Sequence, residues 1–408
     1  MRITGFCFTL LASVWIAACA RSAPECSAVD AQCNTFGSLL LNTFEFSGRR
    51  CLVATTSTTA TRVYGQLGGF TSNTSNLGGR SADSLAVPYG VETDIDNRPF
   101  IAELTNNRVM YFEDGSTTAT RVYGQSGDFT TANAATTADS LSTPYGLGFD
   151  LDRNALYVSD RANSRGLAFF DGSTTAARVY GQLGDFTTGV GNNGAGVSEN
   201  GLNITGHVAV DTDGNLFVAD GNNNRLLFFA EGSTTPTRVY GQQGSFSSAT
   251  ANLGGVSADS LSGPEGVAID SENGVYVSDR SNHRVLYYPA GSTTATRVYG
   301  QGGDFTANTA NNGGVSADSF NFPAGLSLDG DDNLFVADSS NNRVLMFPPG
   351  STTATRVYGQ GGDFTANTAN NGGVSADSLS TPQDAHISCV GDLYIADGNN
   401  NRVLRFGL

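Results

Sequence analysis

The chain has 408 residues, a net charge of −16 and 15% charged residues, and all 22 basic residues are arginine. Such an acidic balance excludes nucleic acid as a partner, because phosphate binding rests on a positive surface and counterion release. Aromatic residues reach 10%, enough for a packed core, which excludes wholesale disorder.

Met1-Arg2 gives a short positive start, and Ile3 to Ile16 is mostly apolar. That length suits the apolar stretch of an export signal and is too short to span a bilayer. The stretch closes as Ile16-Ala17-Ala18-Cys19, which resembles the bacterial lipobox. The resemblance implies that residues 1–18 are a signal peptide and that Cys19 becomes the acylated first residue of the mature protein. More than one acyl chain would make that anchoring stable. Residues 19–48 read as a polar tether without the repeat that follows. Cys26, Cys33, Cys51 and Cys389 are then left over, an even set in an exported chain that allows three disulfide pairings. The expected pairings are Cys26–Cys33 as a local loop and Cys51–Cys389 as a long-range link.

From residue 49 to 408 the chain is repetitive. The phrase Ser-Thr-Thr-Ala-Thr-Arg-Val-Tyr-Gly-Gln, or a close variant, recurs with its arginine at Arg62, Arg121, Arg178, Arg238, Arg297 and Arg356. A near-constant period of this size means stacked supersecondary units. In the copy from Pro323 to Gln360, Ala324–Asp329 alternates small and large residues as a half-buried strand does. The turn cluster Gly330–Asn333 follows. Leu334–Asp338, Arg343–Phe347 and Thr355–Gly359 are three more strands separated by turn residues. Four short antiparallel strands make one blade of a β-propeller, and no helical period appears.

The first-strand element occurs six times, ending at Asp94, Asp150, Asp211, Asp270, Asp329 and Ser388. The fourth-strand arginine also occurs six times, but Arg62 precedes the first of these elements and the last copy, ending at Phe406, has no fourth strand. The expected fold is therefore all-β: a six-bladed propeller of four-stranded antiparallel blades, with the N-terminal strand completing the C-terminal blade. Closure of this kind removes a pair of exposed sheet edges. It also places Cys51 and Cys389 at one end of the same blade.

Leu216–Arg225, preceded by Gly206–Asp211, resembles the NHL repeat, as do Val275–Arg284, Leu334–Arg343 and Leu393–Arg402. The resemblance covers about 350 residues and implies a six-bladed propeller; it does not imply one function, since propellers of the family serve mostly, not always, as binding platforms. Glu103 departs from it where the second strand of the first blade should carry aspartate, and Ser388 where the first strand of the last blade should.

Long connections such as 304–319 follow each fourth strand and are expected on one face with the Asn-Asn-Arg turns. Loops on a rigid scaffold commonly bind partners, while packing is the plainer role. The repeated Asp220 and Arg225 flank a tight turn and read as an ion pair that stabilises it. Asp211–Asn215 and Asp329–Asn333 resemble the start of a calcium loop but lack the closing glutamate of an EF-hand, so hairpin turns are expected. His283 is expected in a surface loop.

Aligned copies single out two inner-strand positions. One carries Gly90, Gly146, His207, Gly266, Gly325 and Asp384; two residues on stand Glu92, Gly148, Ala209, Ala268, Ser327 and His386. Small residues suit six converging strands. Glu92, His207, Asp384 and His386 break that rule beside the axis and are the candidate channel-binding residues. A carboxylate–imidazole group there could hold a cation or act as a general base; a solvated lining is the alternative. No Gly-x-Ser-x-Gly elbow or Walker loop is present.

The expected protein is exported, anchored by lipid to a membrane of the bacterial cell envelope, and non-catalytic, with a protein or glycan as partner and no cofactor. The alternative is a hydrolase or lyase with calcium or zinc in the channel.

Overall fold

The computed structural model describes residues 52–407. The expected signal peptide and tether, with Cys19, Cys26, Cys33 and Cys51, fall outside the described residues.

Among the described residues, six four-stranded antiparallel sheets form. In blade 4 the strands are Pro264–Ile269, Val275–Asp279, Arg284–Tyr288 and Arg297–Tyr299. The six first strands are Pro88–Thr93, Pro144–Asp150, Thr205–Val210, Pro264–Ile269, Pro323–Leu328 and Pro382–Ile387. Each packs against the first strand of the next blade, and the sixth packs against the first, so the ring is closed. Arg62–Tyr64 supplies the outer strand of blade 6: Arg62 lies opposite Arg405, Val63 opposite Leu404 and Tyr64 opposite Val403. Closure by the N-terminal strand is therefore as the sequence predicts. Ahead of that strand, Leu52 N–H donates to the Cys389 carbonyl at 3.0 Å and Thr55 N–H to the Gly391 carbonyl at 2.8 Å.

The second strands show why the repeat is so apolar. All five residues of Leu334–Asp338 are buried, because neighbouring blades cover both faces of the sheet. Between blades, the tyrosine of each Arg-Val-Tyr strand meets an aromatic ring at the end of the next blade's third strand. Tyr180–Phe229, Tyr240–Tyr288 and Tyr358–Phe406 are T-shaped, with centroids 5.2–5.4 Å apart. Tyr64–Phe112 carries the pattern across the closure at 5.1 Å. Such edge-to-face pairs contribute about 0.5–1.5 kcal/mol each beyond area burial.

A second inter-blade device sits just before each first strand. Val87, Thr143, Ile204, Gly263, Phe322 and Thr381 all have left-handed backbone, with φ of 48–57°. β-branched and bulky residues rarely adopt it. Each N–H is held by a side chain on the preceding blade's turn. Val87 donates to Asn401 Oδ1 at 2.9 Å, Thr143 to Asn107 Oδ1 at 2.8 Å, and Thr381 to Asn342 Oδ1 at 2.8 Å. Phe322 N–H donates to His283 Nδ1 at 3.1 Å. His283 is thus half-buried and structural, rather than the plain surface residue expected.

Candidate functional site

The long connections are fixed by buried ion pairs. Arg225 Nε donates to Asp220 Oδ2 at 2.8 Å, and both side chains are 0% exposed. The same arginine donates from Nη1 to the Phe246 carbonyl, and from Nη2 to the carbonyls of Ser198 and Gly201. It therefore grips the connection entering its blade and the one leaving it. Arg343 does the same with Phe364, Ser316 and Ser319. Arg402 grips Ser375, Ser378 and Phe70, so the last clasp holds both sides of the ring closure. Glu103, the departure in blade 1, still pairs with Arg108 at 0% exposure. These pairs are buried clasps, not a charged rim, and they reach well beyond the turn that the sequence assigned to them.

The loop-face end of the axis is filled. Tyr145 OH donates to Glu265 Oε1 at 2.7 Å, Tyr89 OH lies 3.4 Å from the same oxygen, and Arg280 pairs with Glu265 Oε2. Burial, with Glu265 adding to it, pushes the Tyr89 hydroxyl up to about 12, so it remains protonated. The Arg161 guanidinium stacks on Tyr145, its carbon 4.0 Å from the ring centroid. Arg280 also lies 5.7 Å from the centroid of Phe322, whose ring meets His283 edge-on at 4.5 Å. This cluster was not anticipated. Its signal was the residue before the aligned inner position, where Tyr89, Tyr145, Glu265 and Gln383 stand out from Gly206 and Ala324.

Below this plug the four candidate residues form two pairs. His207 Nδ1 is 3.7 Å from Asp384 Oδ2, across the axis from blade 3 to blade 6. Asp384 also accepts from Val91 N–H at 3.0 Å and Ala385 N–H at 2.9 Å. Glycine on the neighbouring blade makes room for each side chain: a Cβ on Gly146 would strike His207, and one on Gly325 would strike Asp384. The second pair is His386 Nδ1 with Glu92 Oε1 at 3.1 Å, and Thr93 Oγ1 meets His386 Nε2 at 2.9 Å. Asp384 thus faces His207, not His386. Burial raises the Glu92 carboxyl well above the carboxylate range, opposed by the Thr93 N–H and helped by Asp384. Burial alone drives the His386 imidazole down to about 3.

Both pairs line a cavity of about 220 Å³ formed by the later halves of the six first strands. Among the described residues no three His, Cys, Asp or Glu side chains are grouped to hold a metal ion. The turns that resemble calcium loops are self-capped: Asp211 Oδ1 accepts from Asp213 and Asn215 N–H at 3.0 and 2.8 Å. No helix among the described residues is long and apolar enough to cross a membrane.

The sequence model of the NHL repeat matches residues 261–288 and 320–347. A comparison with curated proteins gave no match. Among solved structures, the chain is similar to a gluconolactonase from Xanthomonas campestris, at 13% identity and TM-score 0.50, over 85% of this chain and 97% of that one. It is similar to a protein of unknown function from Bacteroides thetaiotaomicron, at 14% identity and TM-score 0.51, over 80% and 70%. Virginiamycin B lyase from Staphylococcus aureus aligns at 12% identity and TM-score 0.45, over 81% and 97%. At these identities the likeness concerns the fold alone. The chain carries NHL repeats within a six-bladed β-propeller.

Proposed function

We propose that this chain is an exported, lipid-anchored propeller acting as a non-catalytic binding platform for a protein or glycan at the bacterial cell envelope. The observation that carries this reading is the set of buried Asp–Arg and Glu–Arg clasps. They hold long loops in one arrangement before any partner arrives, which lowers the ordering cost of binding. Near the axis that face offers arginine and aromatic side chains, Arg161, Arg280 and Phe322, of the kind enriched in interface hot spots. A metal-dependent hydrolase or lyase is the weaker reading, since the channel carboxylates and imidazoles stand as two separate pairs.

The test uses the full-length protein to capture partners from an envelope extract. Arg161→Glu combined with Phe322→Asp should abolish the capture, and Val390→Ser on the opposite face should leave it intact. Capture that survives the loop-face substitutions would contradict the assignment.

Export rests on the N-terminal sequence and the cysteines. Cys389 is disulfide-bonded, and no other cysteine occurs in 52–407. Leu52 hydrogen-bonds to Cys389, which favours Cys51 as its partner. Cys19→Ala should release the protein from the membrane fraction, and non-reducing peptide mapping should join Cys51 to Cys389.

A further inference from the structure

The loop face carries an isolated cation beside its axis. At the first residue after each buried clasp acid the six blades place Leu104, Arg161, Gly221, Arg280, Ser339 and Gly398. Two of these are charged, and both are positive. Arg280 is neutralised by the buried carboxylate of Glu265, so Arg161 holds the uncompensated charge.

Arg161 is also the exception among the arginines. Every other arginine among the described residues donates a hydrogen bond or meets a carboxylate, whereas Arg161 does neither and only stacks on Tyr145. The ring beneath it is fixed. Tyr145 is 3% exposed, packs against Tyr89 with centroids 3.7 Å apart and donates to Glu265. A part-exposed guanidinium seated on a fixed ring loses little freedom when its N–H groups are taken up. Its planar fork matches a carboxylate, which accepts two parallel hydrogen bonds.

The surroundings narrow the ligand further. The long connections around this point present exposed acids, among them Asp128, Asp185, Asp304 and Asp363, in a chain of net charge −16. An acidic rim repels a polyanion, while the central cation attracts a single negative group. The ligand that fits is uncharged along its length and negative at its end. Phe322, 37% exposed, continues the row of contacts through Arg280 and offers an apolar surface. The end of a protein chain combines a carboxylate with apolar side chains; a sugar acid carries hydroxyls around its ring instead.

We propose that the loop face captures the C-terminal carboxylate of a partner protein, with Arg161 pairing with the carboxylate and Phe322 meeting an apolar side chain among the last residues. This rests on the loop-face platform reading and names the group that the platform recognises.

The test titrates the full-length protein with acetylated tetrapeptides of uncharged residues ending in alanine, leucine or phenylalanine, each as the free acid and as the amide. Galacturonic acid and acetylated tetraglutamate are the comparators, and saturation-transfer NMR reports binding. At least one free acid should bind saturably at ~1 mM or tighter, and its amide about tenfold or more weakly. Peptide NOEs should reach the Phe322 ring. Arg161→Gln should weaken the free acid about tenfold and leave the amide unaltered, Arg161→Lys should weaken it less, and Val390→Ser on the opposite face should change neither. No saturable binding by any free acid, equal affinity of acid and amide, affinity unaltered by Arg161→Gln, or tighter binding of galacturonic acid or tetraglutamate would overturn the proposal. Capture from the envelope extract that is lost in the Arg161→Glu and Phe322→Asp variant, yet undiminished by excess free-acid peptide, would overturn it while leaving the platform reading in place.

Discussion

Glu92 and His386 face each other at 3.1 Å where burial disfavours charge on both. Burial favours the uncharged form of each partner. With Glu92 donating to Nδ1, the ring carries its hydrogen on Nε2 and donates to Thr93 Oγ1. Glu92→Gln keeps a neutral donor and should shift unfolding stability by under about 1 kcal/mol, whereas Glu92→Ala leaves Nδ1 unpaired and should cost about 1–3 kcal/mol. Urea unfolding measures both. A loss of about 3–5 kcal/mol for Glu92→Gln would instead indicate a broken buried ion pair. His283 gives a pH prediction. Its Nδ1 accepts the Phe322 N–H, and burial, with Arg280 adding to it, lowers its folded pKa below the usual imidazole value. Protonation therefore favours the unfolded chain. Its contribution is full above pH ~6.5 and is lost as pH falls below that value. His283→Asn restores the residue found at Asn107, Asn224, Asn342 and Asn401. It should reduce the drop in urea midpoint between pH ~7 and ~5; an unchanged drop would contradict the role given to the His283–Phe322 hydrogen bond.

At the scale of elements, the clasp matters more than the tight turn it flanks. Asp338 accepts from Arg343 Nε at 2.7 Å, from Asn341 Nδ2 at 2.8 Å and from Asn321 N–H at 2.8 Å. Asp338→Ala leaves Arg343 buried without its counter-charge and should cost about 3–5 kcal/mol. Arg356→Ala, on a part-exposed outer strand, should cost less than about 1 kcal/mol by chemical denaturation. Equal losses would mean that the buried pair has no special weight. The strands themselves were legible because one pattern of apolar residues and turn clusters repeats. The reach of the clasp was not, because its acceptors at Phe246, Ser198 and Gly201 are main-chain carbonyls. A carbonyl leaves no mark in the sequence. The His207–Asp384 contact was hidden for a different reason: both residues stood out from the glycines aligned with them, but only the ring diameter decides that they meet.

On the scale of the whole molecule, the count of first and fourth strands predicted the closure, because a leftover strand at one end matched a gap at the other. The plug of Tyr89, Tyr145, Glu265 and Arg280 escaped that reasoning, since it joins side chains from three blades whose sequence separation carries no periodic signal. The ring, its girdle of aromatic pairs and its clasps together imply a loop face as firm as the sheets beneath it. Within the loops, Asn252 N–H donates to the Leu261 carbonyl at 3.0 Å, Asn311 N–H to Phe320 at 2.8 Å and Asn370 N–H to Leu379 at 2.8 Å. Amide hydrogen exchange of the purified full-length protein tests this claim most directly. Slow exchange at Asn252, Asn311 and Asn370, comparable with the second strands, is the predicted result. Exchange at these three amides at the rate of an unstructured peptide would show that the loops are not held in place before binding, and would contradict the platform.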